Sequence, residues 1–289
     1  MSHLFTSAKQ ATHYVACRPT YPLSLYTTLF SHLQELKTIK QENPTTTVVD
    51  MGCGSGQATY QLVEHFDRVI AVDPSKEQLA HAAPHKCISY IQGDEATNFP
   101  HDLLAREGIK KVDAVTVAQA AHWFNLPDFY KNVDRVLRVG GVLGIWTYGN
   151  IVFPNDDELG HQVTDELYEG LLIKGGYWDD RRRHVDEHYA SLPRMGQLPE
   201  FAQRYEEKEV RDMQMMTAEW SKEQLFGYIR SWSGYVTYCQ REGIDPGDKE
   251  RDPVVKTLER WLEQERYSKG NLISVAFPLT LRISIKQKD

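Results

Sequence analysis

Residues 45–149 of this 289-residue chain predict a doubly wound α/β domain with a mainly parallel sheet, and the segments after them predict helical cap insertions. Three observations carry that expectation. Short β-rich runs alternate with amphipathic helical runs. The first run ends in glycines at alternate positions. An aspartate closes the second run, 23 residues beyond the aspartate of the first. Strands and helices alternating at this spacing imply right-handed crossovers, which put helices on both faces of parallel strands.

The elements follow in order. A fragment carrying Tyr14, Arg18 and Tyr21 is too short to fold alone and is expected to lie across the core. An amphipathic helix over 21–36 comes next, entered through Pro22. Strands are predicted over 46–50, 68–73, 87–92, 112–118 and 142–148. Helices are predicted between them over 57–66, 76–83 and 128–137, the last introduced by Pro127. Gly140-Gly141 should end that helix and turn the chain into the fifth strand.

Past residue 149 the character changes to charge and aromatics. A helix is expected over 156–173, an edge or extended strand over 205–216, and two long helices over 222–240 and 254–265. A strand over 272–285 closes the chain, and Pro278 within it points to a bulge or an edge position. This gives an N-terminal segment and helix (1–44), a core (45–149), a helical cap with a late core strand near 203–216 (150–270), and a final sheet strand (271–289).

Composition narrows the function classes. A formal charge of −7 gives no basic surface for phosphate backbones, so nucleic-acid substrates are disfavoured. Four scattered cysteines form no CxxC pair, which argues against a zinc knuckle or a disulfide scaffold and for a reducing compartment. No run approaches the ~18 apolar residues that a membrane span needs. The expectation is a cytoplasmic protein with no metal and no membrane or nucleic-acid partner. A monomer is expected, with a dimer as the alternative.

The informative stretch is Val48-Val49-Asp50-Met51-Gly52-Cys53-Gly54-Ser55-Gly56. Glycines after a strand let the backbone turn sharply and let a ligand approach without a Cβ in the way. Nicotinamide and flavin enzymes use GxGxxG, whereas the third glycine here comes one residue early. The absence of a GK[ST] motif argues against a nucleoside triphosphate. Asp73 sits close to the ~20-residue offset at which a carboxylate reaches a ribose diol. After the third strand run, Gly93-Asp94-Glu95-Ala96 offers groups for an adenine edge, or an ordinary loop. Asp50 has a plainer reading too, as a cap of the following turn.

Further blocks narrow the comparison: Arg18-Pro19-Thr20-Tyr21-Pro22, Val72-Asp73-Pro74-Ser75, Ala121-His122-Trp123-Phe124, Val136-Leu137-Arg138-Val139-Gly140-Gly141 and Ser231-Trp232-Ser233. With the glycine motif they make the chain resemble the class I methyltransferases with a type 11 domain, and within them the eukaryotic small-molecule enzymes that include fungal trans-aconitate and cantharidin methyltransferases. The resemblance implies a Rossmann-like fold and S-adenosylmethionine as methyl donor. It puts Asp50, Gly52 and Gly54 along the methionine part, Asp73 on the ribose and Asp94 near the adenine. Tyr14, Arg18, Gly56, Pro74, Glu95, Ala118 and Gln119 complete the expected cofactor set. Val139 stands where this family commonly has proline, a change expected to leave function untouched.

On the acceptor side, methyl transfer from a sulfonium is an in-line displacement in which positioning supplies much of the rate. A carboxylate acceptor needs no base, and the family resemblance together with the arginines of the basic run makes a small acid converted to its methyl ester the favoured reaction. A hydroxyl, thiol, amine or carbon acceptor would need proton removal, for which His122 is the candidate; the alternative is that it hydrogen-bonds a loop and only shapes the pocket. Trp123 beside it could cover the sulfonium or the substrate. Tyr21, Trp146, Tyr177, Trp178 and Arg183 are the expected substrate-binding residues, Arg183 coming from the basic run 181–184. A cofactor-binding protein without catalysis is the alternative from another class. A dehydrogenase is disfavoured by the glycine spacing.

Overall fold

The structure is a computed structural model that describes residues 18–33, 45–93, 99–248, 250–262 and 271–289. The expectations for Tyr14, Asp94 and Glu95 lie outside the described residues.

Among the described residues seven strands form one sheet: β1 (Thr47–Met51), β2 (Arg68–Asp73), β3 (Ile88–Gln92), β4 (Val112–Ala118), β5 (Leu137–Tyr148), β6 (Tyr205–Trp220) and β7 (Ile273–Lys286). Their order is β3-β2-β1-β4-β5-β7-β6. The first five pair in parallel, and β7 runs antiparallel to both β5 and β6. The doubly wound, mainly parallel α/β fold predicted from the sequence is therefore the fold of the chain. β1 and β4 are the neighbours from which the chain winds outward in opposite directions, so their C-terminal tips border the crevice where such sheets take ligands.

Strand β1 is buried at every position, as parallel strands covered on both faces must be. Val48, Val69 and Val142 face one core with α1 (Leu23–Ser31) and the cap, whereas Val49, Ile70 and Leu143 face the other. That second core is closed by the helix Leu126–Val136, whose buried Leu126, Phe129, Tyr130, Val133 and Val136 recur at helical spacing.

Four sequence expectations change. The helix over 57–66 is a short 3₁₀ helix, Thr59–Glu64, at whose start the Thr59 hydroxyl donates to the Asp50 carboxylate at 2.6 Å. Gly140-Gly141 makes no turn. Gly140 takes φ +75° and Gly141 has backbone oxygens 2.9 Å from where a Cβ would lie; the pair sits inside a twelve-residue β5, in the bulge where its residues 138–141 face a single residue of β4, Asp113. The helix over 222–240 is two, Lys222–Arg230 and Ser233–Glu242. Ser231 Oγ donates back to the Tyr228 carbonyl at 2.6 Å, and Trp232 turns extended to bury its indole. Pro278 lies in an interior strand, not at an edge. Its carbonyl accepts from Gly149 N at 2.9 Å on the β5 side, and the position lies opposite the register slip of β6 between Met213 and Met216, so the bulge reading holds and the edge reading does not.

The cap between β5 and β6 contains Asp157–Gly160, a wide π-helix over His161–Ile173 and a short helix Arg182–Asp186. It packs over the first core through Tyr168 and Trp178, whose rings meet that of Trp232 from the helical segment after β6. Among the described residues no helix is long and apolar enough to cross a membrane.

Candidate active site

A cleft of about 1220 Å³, counting its open mouth, lies over the tips of β1, β2 and β4 with the cap as its roof. Gly52, Cys53, Gly54, Ser55, Gln57 and Ala58 supply one wall; Asp73, Ser75 and Gln78 a second; Ala118, Gln119, Ala120, His122 and Trp123 a third. Arg18, Tyr21, Trp178, Asp179 and Arg182 close it from above.

The first wall depends on left-handed backbone. Gly52, Gly54 and Gly56 have φ of +71°, +56° and +85°, which L side chains rarely adopt. Only Gly54 has open space on its Cβ side, with no atom within 4 Å. A Cβ on Gly52 would meet Ala120, and one on Gly56 would meet the Tyr90 hydroxyl. The loop is tied to the second wall through Asp73, which accepts from Gly54 N and Ser75 N, both at 2.8 Å. Burial raises the Asp73 pKa, and those two amides pull it back. Each of its oxygens keeps a lone pair for a further donor.

Asp50 stands behind the loop and does not line the cleft. Its oxygens accept from Thr59 Oγ1 at 2.6 Å and Thr116 Oγ1 at 2.7 Å, and burial pushes its pKa up to about 6. Gln119 lines the cleft at φ +54°, but its amide is committed to β5: Oε1 accepts from Thr147 Oγ1 and Tyr148 N, and Nε2 donates to the Tyr148 carbonyl. Arg18 is fastened to the roof, donating to Tyr148 Oη at 3.1 Å and to the Ser231 carbonyl at 3.2 Å.

Of the residues singled out from the sequence, the structure brings Arg18, Tyr21, Gly52, Gly54, Asp73, Ala118, Gln119, His122, Trp123 and Trp178 to one cleft. It does not bring Asp50, Gly56, Pro74, Trp146, Tyr177 or Arg183 there. Trp146 is wholly buried under the rings of Tyr21 and Tyr26. Tyr177 turns to Glu242, donating at 2.8 Å. Arg183 is exposed, and the inward arginine of the basic run is Arg182. The reason is helical phase: Arg182 and Asp186 share a face one turn apart, and that face lies against Tyr168.

Three comparisons bear on what the cleft is for. A family model described as a methyltransferase domain matches residues 49–145. A methyltransferase-named protein of Dictyostelium discoideum is 33% identical over 273 residues, covering 93% of this chain and 90% of that protein. The chain belongs to the S-adenosylmethionine-dependent methyltransferases. A Saccharomyces cerevisiae protein named as such an enzyme, CRG1, is 30% identical over 188 residues, covering 58% of this chain and 60% of that one. A solved structure titled as a type II methyltransferase from Anaeromyxobacter dehalogenans superposes with a TM-score of 0.65 at 26% identity, covering 93% of this chain and 98% of that one.

The cleft of this methyltransferase fits such a donor chemically. Ser55 Oγ, Gln78 Oε1 and Trp178 Nε1 are buried, border the cleft and lack a hydrogen-bond partner. Buried polar atoms left unpaired cost free energy, so their clustering marks where a polar ligand belongs. Ser55 lies inside the glycine motif and could have been named from sequence. Gln78 could not, because it sits on a helix of only four residues, Lys76–Leu79, whose facing no periodicity reveals. Among the described residues no cluster of histidine, cysteine, aspartate or glutamate could hold a metal ion.

In the roof of the cleft, Arg182 Nε donates to Tyr168 Oη at 2.8 Å and to Asp186 at 3.1 Å, and its guanidinium lies 5.0 Å from the Trp178 ring centroid. Its two terminal nitrogens have no hydrogen-bond partner among the described residues. Arg181 lies 4.2 Å from the Trp123 ring centroid and pairs with Asp179 at 2.8 Å. His122 Nδ1 is 3.0 Å from the buried Tyr189 hydroxyl. Burial, together with the charges of Arg182, His184 and Arg181, pushes the His122 pKa down to about 3.

Proposed function

We propose that this methyltransferase converts a carboxylate of a small anionic acceptor to its methyl ester. The carrying observation is Arg182. Tyr168, Asp186 and Trp178 fix its guanidinium by one edge and one face, and leave two N–H-bearing nitrogens for a ligand in the cleft. A planar fork held in this way suits a carboxylate.

On this reading Asp73 takes the ribose hydroxyls, Gly54 gives the donor close approach to backbone, and Ser55 and Gln78 pair with its polar groups. S-adenosylmethionine supplies a methyl group on a sulfonium: a carbon–oxygen bond forms to the carboxylate as the carbon–sulfur bond breaks, and the electron pair stays on sulfur. No proton has to leave the acceptor, so the protein's task is to orient the acid and to exclude water. The sequence resemblance to trans-aconitate methyltransferases supports an acid as well.

The test pairs titration calorimetry with turnover. S-adenosylhomocysteine should bind in the micromolar range while NAD does not. A panel of small di- and tricarboxylates with methyl-labelled donor should yield methyl esters. Arg182→Gln should raise KM for the acid at least tenfold and leave S-adenosylhomocysteine affinity unchanged. Inertness towards every acid, together with turnover of a phenol or a thiol, overturns the acid reading.

A further inference from the structure

The role of His122 follows from counting hydrogens around Tyr189. The Tyr189 side chain is 1% exposed, and His122 Nδ1 at 3.0 Å is the hydrogen-bond partner of its hydroxyl. A neutral imidazole carries one hydrogen, either on Nδ1 or on Nε2. With the hydrogen on Nδ1, the Tyr189 oxygen would accept it, and among the described residues the phenol's own proton would have no hydrogen-bonded acceptor, an expensive arrangement for a buried group. With the hydrogen on Nε2, the phenol donates to Nδ1 and both groups are satisfied.

The backbone holds this pairing in place at a cost. His188 and Tyr189 are consecutive non-glycine residues with φ of +51° and +63°. Such strain persists only where the surroundings over-determine it, and it gathers at functional sites. Here the His188 ring fills the space beside Gly149, where a Cβ would come within 2.7 Å of it, and Tyr189 N donates to the His184 carbonyl at 2.6 Å. The turn thereby delivers one hydroxyl to one imidazole nitrogen. The other nitrogen, Nε2, has no partner among the described residues, and His122 lines the cleft beside Arg182.

We propose that His122 is a fixed hydrogen-bond donor, offering Nε2–H to an oxygen of the acceptor, and that Tyr189 is the positioning residue that sets this tautomer. This rests on the acid-methylating reading, to which it adds the second contact on the acceptor. A donor beside the Arg182 fork can hold one carboxylate oxygen while the other is left for methylation. Proton removal plays no part. The charged and titratable groups that face His122 are Arg181, Arg182 and His184 from the short cap helix and its start, Asp179, and Tyr189. Three of those disfavour an imidazolium.

Long-range proton–nitrogen correlation spectra of the full chain labelled with ¹⁵N-histidine test this without any acceptor. His122→Gln assigns the His122 signals among the eleven histidines. The expected spectrum shows Nε2 protonated and Nδ1 bare from pH 5 to 8, and Tyr189→Phe shifts the ring towards the other tautomer or a mixture. A spectrum with Nδ1 protonated overturns the proposal. Kinetics give a second readout, since a glutamine amide can donate a hydrogen bond but cannot take up a proton. His122→Gln should stay within about tenfold of the parent, whereas His122→Leu should lose about 10²–10³-fold in kcat, as for a lost positioned donor. Equal large losses in both variants, with a pH profile governed by one group near neutrality, overturn it. The two readings fail separately: no esterification with Nε2 protonated removes the acid, whereas esterification with Nδ1 protonated removes the donor.

Discussion

Gly54→Ala separates backbone strain from ligand contact more cleanly than any other change in the glycine loop. Gly54 has φ +56° and no atom within 4 Å of its Cβ position, so alanine meets strain but no clash. An L residue in the left-handed region costs about 1–2 kcal/mol. That lowers the melting temperature by a few degrees for a chain of this size, at roughly 2–4 °C per kcal/mol. Gly52→Ala adds a Cβ only 2.6 Å from that of Ala120 and so carries overpacking of about 1–3 kcal/mol on top of the same strain. The two alanines should therefore differ in melting temperature, with Gly54→Ala the milder. If the donor lies against the open face of Gly54, the added methyl occupies its space. A comparable steric cost then weakens S-adenosylhomocysteine by about tenfold to hundredfold. Thermal melts and titration calorimetry on the same preparations measure both quantities. A stable Gly54→Ala protein that binds S-adenosylhomocysteine like the parent would refute the placement of the donor against this loop.

Two further outcomes are expected. Burial raises the Asp50 pKa to about 6 from the ordinary 3.8, so the native state binds the extra proton between those values and this group's contribution falls as pH rises through them. Relative to Asp50→Asn, the parent should lose on the order of 3 kcal/mol of stability between pH 4 and pH 7, measured by denaturant unfolding. A pH-independent difference would mean that Asp50 ionises normally. Gly234→Ala places a Cβ 2.5 Å from the Trp178 ring, which Arg182 overlies. It should raise KM for the acceptor severalfold and leave S-adenosylhomocysteine affinity intact, and an unchanged KM would detach Trp178 from the acceptor side.

How much was legible from the residues depended on the range of the interaction. The order of strands and the glycine loop were readable because each is local: apolar runs of strand length, glycines where φ must be positive, and an aspartate at the next strand's end. Asp73, Gly52 and Gly54 reached the cleft because the sheet's topology carries every such loop to the same edge. Element ends were harder. The double glycine at 140–141 reads as a turn until Asp113 and Arg138 leave no room for a side chain, and the 222–240 helix reads as continuous until Trp232 finds its pocket under the cap.

The sequence by itself determined the class of fold, the glycine loop at the cleft and the presence of a histidine and arginines near the same edge. Tertiary structure alone decided which of three consecutive arginines faces inward, since a helix of five residues has no periodicity to read and its phase is set by Tyr168 and Asp186. It also decided that Asp50 supports the loop from behind, because Thr59, just past the loop, and Thr116, from β4, take its oxygens. The state of His122 belongs to the same level: its partner lies 67 residues away, and only the folded chain puts that hydroxyl on one ring nitrogen and leaves the other to the cleft.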